Sequence, residues 1–299
     1  MEKKDVKFNA GFIAIVGPPN AGKSTLLNRL LGMKISITSK KPQTTRNRIL
    51  GVLHRPGAQL VFIDTPGVHD ASRPLNVRIV EQAVVAIEDC DLVLFMVDAA
   101  ARIPEAETLL LKKIKAVNTP VMLVLNKTDL VAKEEVLLQL DRWKNEHAFE
   151  DMVPISARKG TQVEHLVEEM EKRLPENPPF FPEDTLTDVP ERFLAAELIR
   201  EKVFRLTGEE IPYASAVTID AFSEENRDKL ITIHATIHVE RDSQKGIVIG
   251  KQGAKLKEIG TAARKDLVRM LGTKVFLKLF VRVQKNWSRD TRALNRFGY

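Results

Sequence analysis

One cysteine in 299 residues, and no apolar run of membrane-spanning length, set the first limits on this chain. A lone thiol excludes an internal disulfide framework. Cys90 lies between acidic residues just ahead of an apolar strand, where a thiolate is disfavoured, so it reads as a buried, inert thiol. No segment approaches the roughly 20 apolar residues that a membrane-crossing helix needs. The opening MEKKDVKFNAGF has no apolar stretch of signal-peptide length, and the expectation is a protein of the cytosol. Histidines form no ligand cluster. His234 and His238 fall on one face of a strand but too far apart to share a metal, so no structural zinc is expected.

What is present is the composition of an ordinary globular protein, 43% hydrophobic and 29% charged, which excludes disorder and fibrous repeats. The length suits two domains, each with its own core. The net charge of +6 is unevenly placed: Glu240 to Tyr299 carries 15 Lys or Arg against 5 Asp or Glu. A basic end points to a polyanionic partner, although basic surface alone is weak evidence of one.

Through residues 1–174, short apolar runs alternate with helix-length amphipathic segments: FIAIVG, QLVFID, LVLFMVD, VMLVLN and MVPIS. That rhythm predicts an α/β domain, a mostly parallel sheet with helices on both faces. Residues 175–190, with Pro175, Pro178, Pro179, Pro182 and Pro190, read as an extended linker. Residues 191–299 read as a smaller α+β domain. A helix spans Glu191 to Leu206, two strands follow in YASAVTIDAF and LITIHATIHVE, a helix runs from Ala254 to Leu271, and KVFLKLFVRVQ is the last strand.

GPPNAGKS, Gly17 to Ser24, follows the run FIAIV and precedes the leucine-spaced helix TLLNRLLG, the strand, loop and helix context of a phosphate-binding loop. The expected contacts run from Gly17 through Pro18, Pro19, Asn20, Ala21, Gly22, Lys23 and Ser24 to Thr25. Backbone amides at the helix N-terminus point at phosphate, Lys23 places a charge between the β- and γ-phosphates, and Ser24 ligates magnesium. A bare glycine turn before a helix would not explain the adjacent Lys-Ser pair.

Asp64 ends the second apolar run in DTPG, so Asp64, Thr65, Pro66 and Gly67 are placed at the nucleotide, Asp64 holding the magnesium shell through water and the Gly67 amide sensing the γ-phosphate. NKTD, Asn126, Lys127, Thr128 and Asp129, follows VMLVL. The Asp129 carboxylate can accept from both the ring N1–H and the exocyclic amine of guanine, whereas adenine would leave that acceptor unpaired, which disfavours an ATPase. Ser156, Ala157 and Arg158, in ISAR, supply a backbone amide near the guanine carbonyl. SKKPQTTRNRI has the polar, aperiodic character of a switch segment. There Thr45, or Thr44 as the alternative, is the second metal ligand. Lys23, Thr45 and Gly67 form the expected catalytic set. Val68 stands where many small GTPases carry a water-orienting glutamine, so a slow intrinsic rate is expected.

In the second domain, Gly250-Lys251-Gln252-Gly253 lies between a strand-like apolar run ending in Ile249 and a basic helix bearing Lys255 and Lys257. This is the GxxG pattern, in which small residues let a nucleic-acid backbone approach and lysines hold its phosphates.

Taken together, GPPNAGKSTLLNRLLGMKISITSKKPQTTR, DTPGVH, NKTD, ISA, FPEDTLTD and VIGKQG resemble the Era family of bacterial GTPases with a type II KH domain, over essentially the whole chain. Pro18 departs from the arginine of many members. The resemblance implies GTP/GDP and Mg2+ as cofactors. It also implies binding near the 3′ end of small-subunit (16S) ribosomal RNA, a role in 30S subunit maturation, and peripheral contact with the cytoplasmic face of the inner membrane. A monomer is the plain expectation. The rival reading is a nucleotide-gated scaffold whose basic domain docks on protein or anionic membrane, and the GxxG turn is what separates the two.

Overall fold

The computed structural model describes residues 7–38, 49–64, 87–101, 104–208, 211, 215–285 and 287. Its contacts divide into two compact units, one of Met1–Ser36 and Thr45–Asp188, the other of Ile37–Thr44 and Val189–Tyr299.

The first unit is built on a six-stranded sheet: β1 (Asn9–Val16), β2 (Ile49–Arg55), β3 (Ala58–Asp64), β4 (Leu92–Asp98), β5 (Val121–Asn126) and β6 (Asp151–Pro154), in the order β2-β3-β1-β4-β5-β6. All pairs are parallel except β2 with β3. Every residue of β3, β4 and β5 is buried, as befits strands covered on both faces. Helices α1 (Lys23–Leu30), α2 (Pro104–Ile114), α3 (Lys133–Lys144) and α4 (Val163–Glu171) belong to this unit. Trp143 of α3 meets Phe95 of β4 edge to face at 5.4 Å, one of the contacts that dock a helix on the sheet.

The antiparallel hairpin β2–β3 adds a sixth strand to the five expected runs of the mostly parallel sheet. ILGVLHR, interrupted by Gly51 and ending in His54 and Arg55, is too mixed to declare itself, and it is its pairing with QLVFID across a Pro56-Gly57 turn that makes it a strand. The proline-rich stretch is likewise more than a spacer. Residues 175–188 lie along the first unit, where Ala10 N donates to Pro175 O, Val52 N to Leu186 O, and Thr187 Oγ1 to Leu50 O. Buried Gln59 ties the middle of the strap, accepting from Phe180 N (2.7 Å) and Phe181 N (3.0 Å) and donating to Phe181 O (2.8 Å).

In the second unit, α5 (Glu191–Leu206) is followed by β7 (Ser215–Asn226), β8 (Leu230–Val239), α6 (Asp242–Ile249), α7 (Ala254–Leu271) and β9 (Val275–Val283). The sheet order is β7-β8-β9, antiparallel then parallel. Helix residues Leu198, Val203, Val248, Ile259, Ala263 and Leu267 share one core with the inward positions of β8 and β9. The run before Gly250, expected as strand-like, is instead the end of α6. Gln244 fixes that helix start by accepting from Glu240 N and Arg241 N, a cap that three apolar residues at the far end do not reveal.

Candidate functional site: a nucleotide cradle and a GxxG turn

Parallel strands deliver their carboxyl ends to one edge of the sheet, the usual place for a ligand in an open α/β fold. Val16, Asp64, Asp98 and Asn126 end β1, β3, β4 and β5, and the loops that follow carry the sequence-derived site.

The loop after β1 turns through Asn20 (φ 62°) and Gly22 (φ 104°) into α1, whose first residue is Lys23. A side chain at Gly22 would be strained by that φ, and its Cβ would lie 2.2 Å from Asn126 Nδ2. The amides of the first turn of α1 are therefore presented at the loop, a ready anion site. The buried Lys23 ammonium donates to Gly17 O (2.8 Å) and Pro18 O (2.9 Å), which aims it along the loop. Burial lowers its pKa from 10.5 to about 8, against the opposing charge of Asp64.

Ser24 Oγ donates to Asp64 Oδ2 (3.0 Å), so α1 and the end of β3 hold a hydroxyl and a carboxylate side by side. A hard-oxygen pair of this kind suits Mg2+. The same carboxylate oxygen accepts from Ser36 Oγ (2.8 Å), and Asn28 fixes Ser36 by accepting from its amide and donating to its carbonyl. Thr44, Thr45, Thr65, Pro66, Gly67 and Val68 lie outside the described residues.

Asn126 is the central staple. Its Nδ2 donates to Ala21 O (2.7 Å) in the phosphate loop, and its Oδ1 accepts from Ala157 N (2.9 Å) in the loop after β6. The Ala157 amide, expected at the guanine carbonyl, thus also has a partner inside the protein. Lys127 (φ 66°) pairs with Asp98 at the end of β4. Thr128 Oγ1 anchors the loop to Ile155 O (2.9 Å). Ser156 Oγ donates to Asp129 Oδ1 (2.7 Å), and that bond, helped by Lys159 and Arg158, keeps the Asp129 carboxyl below the usual carboxylate range.

Sequence reasoning missed Arg29, Asn28, Ser36 and Asp98. Arg29, on α1, donates through Nε to Ala157 O (3.0 Å) and through Nη2 to Arg158 O, so α1 also braces the loop after β6. A charged residue among the leucines of α1 is the only hint in the sequence, and it reads equally well as a solvated position.

In the second unit, Gly250 to Gly253 form the turn between α6 and α7. Gly250 has φ 72°, and a Cβ there would press within 2.6 Å of Lys255 Cβ. Lys251, Gln252 and Lys257 are exposed around the N-terminus of α7, whereas Lys255 is paired with Glu258 (2.7 Å). Exposed cations beside helix amides are an arrangement for phosphate.

Residues 12–127 match a family model described as a 50S ribosome-binding GTPase, and residues 210–288 match one described as a KH domain. The chain is 56% identical to the GTPase Era of Geobacter metallireducens over 99% of both chains, and 53% identical to that of Geotalea uraniireducens over 98% of both. Among solved structures, it superposes on a point variant of Aquifex aeolicus Era bound to GDP.AlF4- with a TM-score of 0.92 and 44% identity, covering 98% of this chain and 99% of that one. It superposes on Era in complex with MgGDPNP and nucleotides 1506–1542 of 16S ribosomal RNA with a TM-score of 0.93 and 43% identity, at the same coverage.

Proposed function

The chain belongs to the Era family of GTPases, and from that premise we propose that it binds and hydrolyses GTP with Mg2+ and uses the nucleotide state to govern binding of small-subunit ribosomal RNA during 30S assembly. One observation carries the guanine reading. Asn126 ties the Ala21 carbonyl to the Ala157 amide, so the phosphate loop and base loop form one rigid frame around an ionised Asp129. A carboxylate fixed in that frame matches the two adjacent donors of guanine.

Within that frame the chain's residues have separable tasks. Lys23 and the first-turn amides of α1 neutralise phosphate oxygens as negative charge shifts toward the leaving group. Ser24 and, through water, Asp64 would hold Mg2+, which would supply further positive charge to the phosphate oxygens. Water then attacks the γ-phosphorus and GDP leaves with inorganic phosphate. With valine at position 68 that side chain can neither orient nor polarise the water, and turnover without a partner is slow.

The GxxG turn favours RNA over the scaffold reading, because docking on protein has no need of glycines that admit a sugar-phosphate backbone. A cytoplasmic protein with peripheral contact at the membrane's inner face, acting as a monomer, is part of this proposal. The base assignment is tested with Asp129→Asn. Xanthosine triphosphate should displace GTP as the preferred ligand of the variant, and a variant that still prefers GTP would refute the assigned contact.

A further inference from the structure

Among the described residues, the helices of the second unit share its core on one face of the sheet, and on the opposite face Ala216, Thr236 and His238 of β7 and β8 are buried. On that opposite face, β9 presents Phe276, Lys278, Phe280 and Arg282 in alternation, all exposed, while Leu277, Leu279, Val281 and Val283 point into the core. Phe276 and Phe280 are 51% and 45% exposed, far more than ring-bearing strand positions need be if packing were their purpose. Lys278 lies between them in sequence, its ammonium 5.1 Å from the Phe280 ring centre. Across the strand pair, His234 is level with Lys278 and meets the Phe276 ring edge to face at 6.4 Å. Among the described residues no carboxylate pairs with Lys278 or Arg282.

The geometry points to a second single-stranded RNA site along this exposed row of β9, separate from the GxxG turn: bases stack on Phe276 and Phe280, and phosphates meet Lys278 and Arg282. It rests on the RNA-binding reading above and adds a surface to it. Side chains four positions apart on a strand stand about 13 Å from one another along one face. Two flat rings separated by a cation therefore match a strand of splayed bases separated by phosphates. Single-strand binders combine aromatic platforms with positive charge in this way. An acidic peptide would satisfy the cations but leave the ring planes without a purpose. The edge position of β9 leaves the row accessible from the side.

The test uses the full chain, loaded with GTP analogue and magnesium, and a fluorescent RNA of the sequence of nucleotides 1506–1542 seen with the Era relative. Phe276→Leu/Phe280→Leu keeps apolar bulk and removes the rings, Phe276→Tyr/Phe280→Tyr keeps the rings, and Lys251→Asp/Gln252→Asp disables the turn. Both rings are half exposed, and circular dichroism checks that each variant is folded.

The leucine pair should bind about tenfold more weakly for each ring lost, the tyrosine pair should bind as the parent does, and ultraviolet crosslinking should place RNA adducts on Phe276 or Phe280. If the leucine pair keeps full affinity while the turn variant loses it, the second site is wrong and the turn stands. If both keep full affinity, the RNA reading fails as well. If the leucine pair keeps RNA affinity but loses binding to phosphatidylglycerol vesicles, the face serves a membrane and the proposal is overturned.

Discussion

Lys23 is held charged at neutral pH by a narrow margin. Its pKa is about 8 in the folded protein against 10.5 when solvated. Between those values the unfolded chain retains a proton that the folded chain has lost, so this group alone makes folding more favourable as pH rises through that window. Nucleotide binding runs the other way. Phosphate beside the ammonium restores its proton, so binding takes up protons above pH 8 and weakens as pH climbs from 8 toward 10. Calorimetry at about pH 9, between those two values, in two buffers of different ionisation enthalpy should show proton uptake on binding GDP, and Lys23→Met should lower it to the part that the guanine N1 itself takes up. Arg29 yields a second prediction at this scale. Its guanidinium grips the carbonyls of Ala157 and Arg158 from outside the nucleotide pocket. Arg29→Ala removes both hydrogen bonds and should loosen the base loop, weakening GDP by about tenfold. The loss should be smaller for inorganic triphosphate, which never reaches that loop. Equal losses for both ligands would mean that Arg29 serves the fold alone.

Elements declared themselves in the sequence where their own pattern sufficed. β3, β4 and β5 are uninterrupted apolar runs because both their faces are covered, and α7 shows the helical period together with a closing Gly272. β2 and α6 were hidden for physical reasons. The first is a strand through its hairpin partner, and the second is a short helix whose start depends on the side-chain cap of Gln244. The same division holds in the site. Lys23, Ser24, Asn126 and Asp129 were legible because phosphate and guanine dictate residue types at fixed places beside strand ends. Arg29, Asn28 and Ser36 were not, since their work is to hold other loops and depends on folded distances. The 175–188 strap belongs to this hidden class, with Gln59 as its anchor. Gln59→Leu leaves two amides and a carbonyl of the strap without that partner and should cost about 2–3 kcal/mol in urea unfolding of the full chain. An unchanged midpoint would mean that the strap contributes nothing to stability.

Across the whole molecule, the acidic excess lies in the first 239 residues and the basic excess beyond them. Each unit has its own core, and under the proposed function each serves one kind of ligand chemistry: a guanine nucleotide at strand ends in the first, a polyanionic strand in the second. RNA affinity should therefore depend steeply on salt, whereas guanine recognition, made of short contacts in a buried frame, should not. Guanine recognition is the property on which the rest of the proposed function depends. Titrating the intact protein with GDP and then with ADP, in magnesium and under one buffer condition, tests it directly. Saturable binding of GDP and no measurable heat with ADP are expected. Comparable binding of the two nucleotides, or of neither, would contradict it.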